Sequence, residues 1–372
     1  MAANNNAKAS VLLVGCGCPG KSMGWYHAEQ LLADRCPSAL LRYIVEPFFM
    51  NEQLGVDAAG FHEFHSWRKE QEKKGVAFFE SVEEVPDCSK ESSEKRLGII
   101  SSRTADNPKL LSACVKAGCC TIYLEKPGAP TVKELETMKD EADAAGCNVF
   151  MGFNKNVSAF LSRARDFAET SPTKCDITFL HNNAYKSEEL PECFERNAEG
   201  MLKNMAIHEL AILATYYDVT IENIAAVTAD KEFSSFKSLI GPASGKSFSD
   251  FDKLKFKITT KSGKEASVAA DRCGGDDSVG IVTDSATGKE LARFTMPDED
   301  AVTNIPVLER QYPGAMPYFY TQDPDYCKLK ECIAAACVSN NASPDGVATI
   351  NTAIASLKLA EFLTPLLQEQ LK

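Results

Sequence analysis

The first 150 positions alternate between two textures of apolar and polar residues. Short apolar runs of strand length recur: SVLLV at 10–14, LRYIV ending at Glu46, LGIISSR, CTIYL ending at Glu125, and NVFM before Gly152. Between them lie stretches with helical spacing. In SMGWYHAEQLLADR, Trp25, Ala28, Leu31 and Leu32 share a face, and in TVKELETMKDEADAAG, Val132, Leu135, Met138 and Ala142 do the same. PKLLSACVKAG reads as a further helix, and HEFHSWRKEQEKK, within a polar stretch at 50–75, as a solvated helix face. Thr131 followed by Glu134 is a capping-box pattern at a helix start. Strands that are apolar throughout, alternating with amphipathic helices, predict a parallel sheet covered on both faces.

Beyond residue 157 the texture changes. A helix at 157–169 leads into CDITFLHNNAY, then into ECFERNAEGMLKNMAIHELAILATYY. Alternating segments follow: NIAAVTAD, KLKFKITTKS, EASVAADRC, SVGIVTD and ELARFTMP, with hairpin signals at Ser262-Gly263 and Thr287-Gly288. This pattern predicts an α+β domain built on a large, mostly antiparallel sheet. The expected division is 1–153 for the α/β domain and 154–372 for the α+β domain. A last helix at 346–368 is expected to pack back on the first.

A chain of 372 residues is long enough for two cores. The net charge of −12 argues against a general nucleic-acid binder, which needs a basic footprint. Fourteen scattered cysteines, with a polar head MAANNNAKAS in place of a signal peptide, point to reduced thiols in the cytoplasm. Cys16 and Cys18 are spaced like a metal pair, yet no second pair stands at ligand spacing, so no metal site is expected. No run of apolar residues is long enough to span a membrane.

The first strand runs into Gly15, Gly17 and Gly20 as G-x-G-x-x-G, with Pro19 inside the loop. Gly15 lets the chain leave the strand tightly, Gly17 admits a pyrophosphate, and Gly20 is expected to seat the following helix near the sheet. Strand before, helix after and an acid closing the next strand make this a dinucleotide-binding pattern. Lys21 is either a phosphate contact or a solvated side chain. Glu46 would accept hydrogen bonds from a ribose hydroxyl and repel a 2′-phosphate, so NAD is expected over NADP.

Three motifs now stand in order: Gly15/Gly17/Gly20, Glu125-Lys126-Pro127 with the GFN at 152–154, and MLKNMAIHELAIL at 201–213. Together they resemble the glucose-fructose oxidoreductase/inositol dehydrogenase (Gfo/Idh/MocA) family, and the likeness covers nearly the whole chain. The resemblance implies a Rossmann domain followed by an open-sheet domain. It implies that Lys126 sits at the nicotinamide and substrate hydroxyl, that the Lys126–Pro127 bond is cis, and that Glu125 touches the cofactor ribose. The catalytic histidine maps onto His208. Asn204, four residues earlier, is expected on the same helix face, where it would bind substrate and assist catalysis. Oxidising an alcohol needs a base for the hydroxyl proton, which suits this set. The chain departs from the family at Asn204 and Ala211, where aspartates are common, and at Ala206, where glycine is. Ser101-Ser102-Arg103-Thr104 stands where the family has a threonine-proline-asparagine run, with Ser101 and Arg103 expected near the cofactor.

Substrate contacts are expected from Tyr185 and Lys186, within a polar cluster that also holds His181 and Asn183, besides Lys126, Asn204 and His208. The aromatic stretch 312–326 reads as a lid or wall. The resulting reading is an NAD-dependent oxidoreductase acting on a sugar, cyclitol or polyol-like substrate, assembled as a homodimer or homotetramer. The alternatives are a reductase of a keto or imine compound, transient use of bound NAD for elimination, and a non-catalytic nucleotide-binding regulator.

Overall fold

In the computed structural model, residues 7–88 and 94–372 are described; most of the polar head read from the sequence lies outside them. Six strands form the first sheet: β1 (Ala9–Val14), β2 (Ala39–Val45), β3 (Ala77–Phe79), β4 (Arg96–Ile100), β5 (Thr121–Leu124) and β6 (Asn148–Met151). Their order is β3-β2-β1-β4-β5-β6 and every pairing is parallel. All six residues of β1 and all four of β5 are buried, as strands sandwiched between helices must be. The helices Met23–Leu32, Asn107–Lys116 and Val132–Ala145 occupy the stretches whose periodicity predicted them. Thr131 caps the last of these, its Oγ1 accepting from the Glu134 N–H at 3.2 Å. The strand order reverses between β1 and β4, and a crevice at the carboxyl ends of the strands there is the usual ligand site of such sheets.

Seven strands form a second sheet: β7 (Cys175–Asn182), β8 (Ile224–Ala229), β9 (Ser235–Ile240), β10 (Ser247–Thr260), β11 (Glu265–Asp271), β12 (Ser278–Asp284) and β13 (Glu290–Met296). Their order is β13-β12-β7-β11-β10-β8, with β9 also pairing β10. Only β7 with β11 is parallel; the other pairs are antiparallel, as expected. β9 was not foreseen, because its sequence SFKSLI is largely exposed and carries no buried alternation. The helix Ala159–Thr170 lies across β7, β12 and β13. It comes close because Gly280 has no side chain: a Cβ there would stand 2.8 Å from the Ala164 methyl.

The chain divides into two compact units, residues up to 154 with 303–353, and 155–302 with 354–372. The second unit is therefore not the continuous stretch 154–372. The reason is the helix Asp323–Ser339, which packs on β1, β2, β4 and β5. Its buried Tyr326, Leu329, Ile333 and Cys337 recur at helical intervals and cover the sheet beside the helix Met23–Leu32. The final helix runs Ile350–Leu371, and only its first residues belong to the first unit. All fourteen cysteines are free, and no helix among the described residues is long and apolar enough to cross a membrane.

Candidate active site

The glycine loop leaves β1 as expected but reaches its helix differently. Gly15 has φ +83°, and a Cβ on it would fall 2.7 Å from the Ser101 carbonyl oxygen at the end of β4. The two strand ends therefore approach as only glycine allows. The helix begins at Met23, beyond Gly20. Gly20 does not seat it; its nearest neighbour is the Gly314 carbonyl, and its own carbonyl accepts from the Met316 N–H at 3.2 Å. Gly24 performs that role instead, since a Cβ there would sit 2.0 Å from the Gly15 oxygen. The extra residues form a longer loop around Pro19, and Ser22 closes it. Its Oγ accepts from the Cys18 N–H at 2.9 Å and makes no side-chain cap on the helix that follows. The first-turn N–H groups keep no side-chain acceptor from Ser22, the condition for holding a phosphate.

Glu46 is 4 % exposed and clamps the same loop. One carboxylate oxygen accepts from the Gly17 N–H at 2.6 Å, the other from the N–H groups of Phe48 and Phe49 at 3.1 and 3.4 Å. Burial raises its pKa, and these three donors work against that rise. Ser101 is half-buried at the β4 end, while Arg103 is exposed at the start of the next turn.

The Lys126–Pro127 peptide is cis, as the resemblance implies. The turn it makes is packed: Gly128 has φ +96°, and its carbonyl accepts from the Asn107 amide at 2.8 Å. Behind Lys126, Glu125 enters a buried polar set. Its Oε1 lies 2.9 Å from His27 Nε2 and accepts from the Tyr123 hydroxyl at 2.7 Å. Burial alone would raise the carboxyl pKa, but His27, Tyr123 and the charge of Lys126 together hold it below the ordinary value. Gly152, the glycine of GFN, leaves room for this carboxylate, because a Cβ there would stand 2.7 Å from Glu125 Oε2. His27 is fully buried and is pushed down to about 4 by burial and by Lys330. The aromatic stretch read as a lid packs on the same helix, Phe319 stacking on Tyr26 with ring centroids 4.7 Å apart.

In the second unit, His208 opens the helix Ile207–Tyr216 and is buried. Beside it, Glu209 accepts from Lys155 Nζ at 2.7 Å and lies 3.2 Å from His181 Nδ1, at the end of β7. Burial works to raise the Glu209 pKa, yet Lys155 and His181 outweigh it and keep the carboxylate well below its ordinary range. The rings of His181 and His208 stand nearly perpendicular with centroids 6.3 Å apart. Asn204 does not share a helix face with His208. Met201–Asn204 is a separate short helix, and at its end the Ala206 N–H reaches back five residues to the Met201 carbonyl, a widened turn. The Asn204 amide donates to Glu199 at 2.9 Å. Tyr185 accepts from Arg196 at 2.9 Å, and exposed Lys186 donates its N–H to Glu189 at 2.7 Å. Gly24, His27, Lys155 and Glu209 escaped the sequence reading. A glycine three residues before a histidine in an apolar helix was the available signal for the first two.

Residues 10–153 match the family model described as "Oxidoreductase family, NAD-binding Rossmann fold" (GFO_IDH_MocA), which bears out the resemblance, the enzyme class and NAD as cofactor. No curated protein matches the chain in sequence. Among solved structures, a probable dehydrogenase from Thermotoga maritima aligns with TM-score 0.63 at 18% identity, over 98% of this chain and 97% of that one. The scyllo-inositol dehydrogenase of Lactobacillus casei, with bound NAD(H) and scyllo-inositol, aligns with TM-score 0.62 at 14% identity over 98% and 96%. GenD2 from gentamicin A biosynthesis, in complex with NAD, aligns with TM-score 0.63 at 17% identity over 97% and 94%. At these identities the likeness is one of fold. The residues present fit an NAD: a glycine turn at the end of β1, a first helical turn that Ser22 leaves uncapped, and the buried acid Glu46 closing β2 beside that loop.

Two outcomes follow from this geometry. G24A should push the helix off the loop, lowering stability by about 1–3 kcal/mol and weakening NADH binding, read by urea unfolding and fluorescence titration; unchanged affinity would mean that Gly24 does not shape the loop. His27 should make the protein acid-sensitive. Its folded pKa of about 4 lies below the unfolded value near 6.5, so protonation favours unfolding. Stability is fully present above about pH 6.5 and is lost as pH falls towards 4, by about 3 kcal/mol. Thermal melting across that range should show a slope that H27Q reduces.

Proposed function

We propose that this chain, whose residues 10–153 carry the NAD-binding Rossmann domain of that oxidoreductase family, transfers hydride between NAD and a secondary alcohol or carbonyl carbon. The substrate class we favour is a sugar, a cyclitol or a related polyol. The observation that carries the reading is the end of β5: Lys126 follows a largely buried carboxylate, Glu125, that His27 and Tyr123 help to keep ionised. The inositol-bound neighbour supports the substrate class.

In this reading the glycine loop and the helix beginning at Met23 hold the pyrophosphate, and Glu46 selects against a 2′-phosphate. The nicotinamide, when bound, accepts or supplies the hydride. Lys126 binds the substrate oxygen and stabilises its negative charge as the hydroxyl proton leaves. His208 takes that proton and returns it in the reverse direction. Glu209 holds the His208 helix start in place through Lys155 and His181. The protein is cytoplasmic in this reading, and assembles as a homodimer or homotetramer. Ala211 is a buried methyl, and Asn204 is tied to a surface glutamate, which favours a nucleotide-binding regulator as the second reading.

Titration with NADH and NADPH, followed by absorbance at 340 nm over a panel of polyols, sugars and their keto forms, separates the two. NADH binding with turnover supports the oxidoreductase; binding without turnover on the whole panel favours the regulator; no binding overturns both. In the active case K126A and H208Q should each lower kcat by about 10²–10⁴-fold and leave the NADH affinity within a few fold. Near-normal turnover in either variant would remove that residue from the chemistry.

A further inference from the structure

Lys330 lies on the helix Asp323–Ser339 with 1 % of its surface exposed, and neither the hydride chemistry nor the glycine loop uses it. Its Nζ stands 2.5 Å from Gln30 Oε1, 2.9 Å from the Tyr326 carbonyl and 3.0 Å from His27 Nδ1. Gln30 cannot present its other end, because its Nε2 donates to the Asp323 side chain at 2.6 Å and to the Asp323 carbonyl at 3.1 Å. A lysine ammonium has three N–H donors and no acceptor. Two of its three partners are obligate acceptors, so the third donor falls on His27 Nδ1, which must offer a lone pair. The proton of a neutral imidazole is then on Nε2, facing Glu125 at 2.9 Å.

The charges agree with an ammonium. Asp323 is paired with Arg35; burial pushes the Lys330 pKa down, and the fields of Cys36, Cys327, Asp323 and Glu125 work against that fall. An unpaired charge would not persist there. The titratable groups whose fields reach Lys330 are Asp323, Glu125 and the thiols of Cys36 and Cys327; Tyr123 and Lys126 face the same Glu125 carboxylate.

We infer that Lys330 is a positioning residue for the end of β5: its ammonium occupies the His27 Nδ1 lone pair, keeps that imidazole a neutral Nε2–H donor, and so leaves the negative charge of Glu125 uncompensated by His27 and facing Lys126. Without Lys330 the Nδ1 position is open to a solvent proton. His27 would then become an imidazolium paired with Glu125, and the carboxylate would lose the free negative charge that Lys126 faces. The inference rests on the reading of Lys126 as the reacting lysine, but its first test does not require turnover.

The test is a long-range ¹H–¹⁵N spectrum of the imidazoles in the full chain, with His27 assigned among the five histidines by its loss in H27Q. In the wild type His27 should show the neutral Nε2–H pattern across about pH 5 to 9. An Nδ1–H or charged His27 at neutral pH overturns the inference, and this arm needs no variant to fold. In K330M, His27 should titrate at least about one unit higher than in the wild type. The kcat of K330M should fall about tenfold on the acid side and recover towards alkaline pH, with NADH affinity within about threefold. K330Q, which keeps an N–H donor for His27, should recover part of that loss. A pH-independent loss in K330M, or a His27 that stays neutral in it, would mark Lys330 as structural only. Absence of turnover in the wild type would count against the oxidoreductase reading and leave the His27 spectra to decide the role of Lys330.

Discussion

The largely buried carboxylate of Glu125 is the constraint around which the first unit is arranged. A carboxylate taken from water must be given donors or it takes up a proton and becomes neutral. Its donors come from two directions: Tyr123, two residues back on the same strand, and His27, from the helix after the glycine loop. That requirement fixes where the helix lies, and the helix lies there only because Gly24 has no side chain to strike the Gly15 carbonyl. It also explains Gly152, whose missing side chain is the space the carboxylate occupies. The glycine loop and the lysine motif are therefore one mechanical object, although more than a hundred positions separate them.

Charge compensation extends the set into the helix Asp323–Ser339. Asp323 accepts from Tyr26, Gln30 and Arg35, and Lys330 closes the path back to His27. The set places Arg35 and Lys330 with Asp323 and Glu125, so that each charge withdrawn from water has an opposite one near it. In the second unit the same logic operates on a smaller scale, with Glu209 held ionised between Lys155 and His181.

Much of the fold was legible because its signals are local. Apolar runs alternating with 3.6-residue periodicity placed five of the six parallel strands and their helices, and turn glycines at 263 and 288 marked two hairpins. β9 was missed because an exposed strand has no buried face to imprint on its sequence. Asn204 and His208 were joined on one helix because both neighbourhoods are apolar, and the widened turn at Ala206 leaves no mark in residue type. Lys126 and the cis bond came through a resemblance rather than through periodicity. What could not be read was the partner of each buried polar group. Lys330 sits in KLKEC, a stretch whose lysines look like solvated charge, and only three dimensions show that one of them faces inward.

The helix Asp323–Ser339 also has a bearing on how the protein is made. It covers β1, β2, β4 and β5, yet it is synthesised after the entire second sheet. A nascent chain that has just released its sixth strand from the ribosome leaves part of one apolar side of the parallel sheet uncovered and has His27 without its Lys330 partner. The usual order, in which the amino-terminal domain completes itself first, is closed to this protein. Its nucleotide-binding half reaches its final form only when nearly the whole polypeptide is out, so part of its apolar surface waits uncovered during translation.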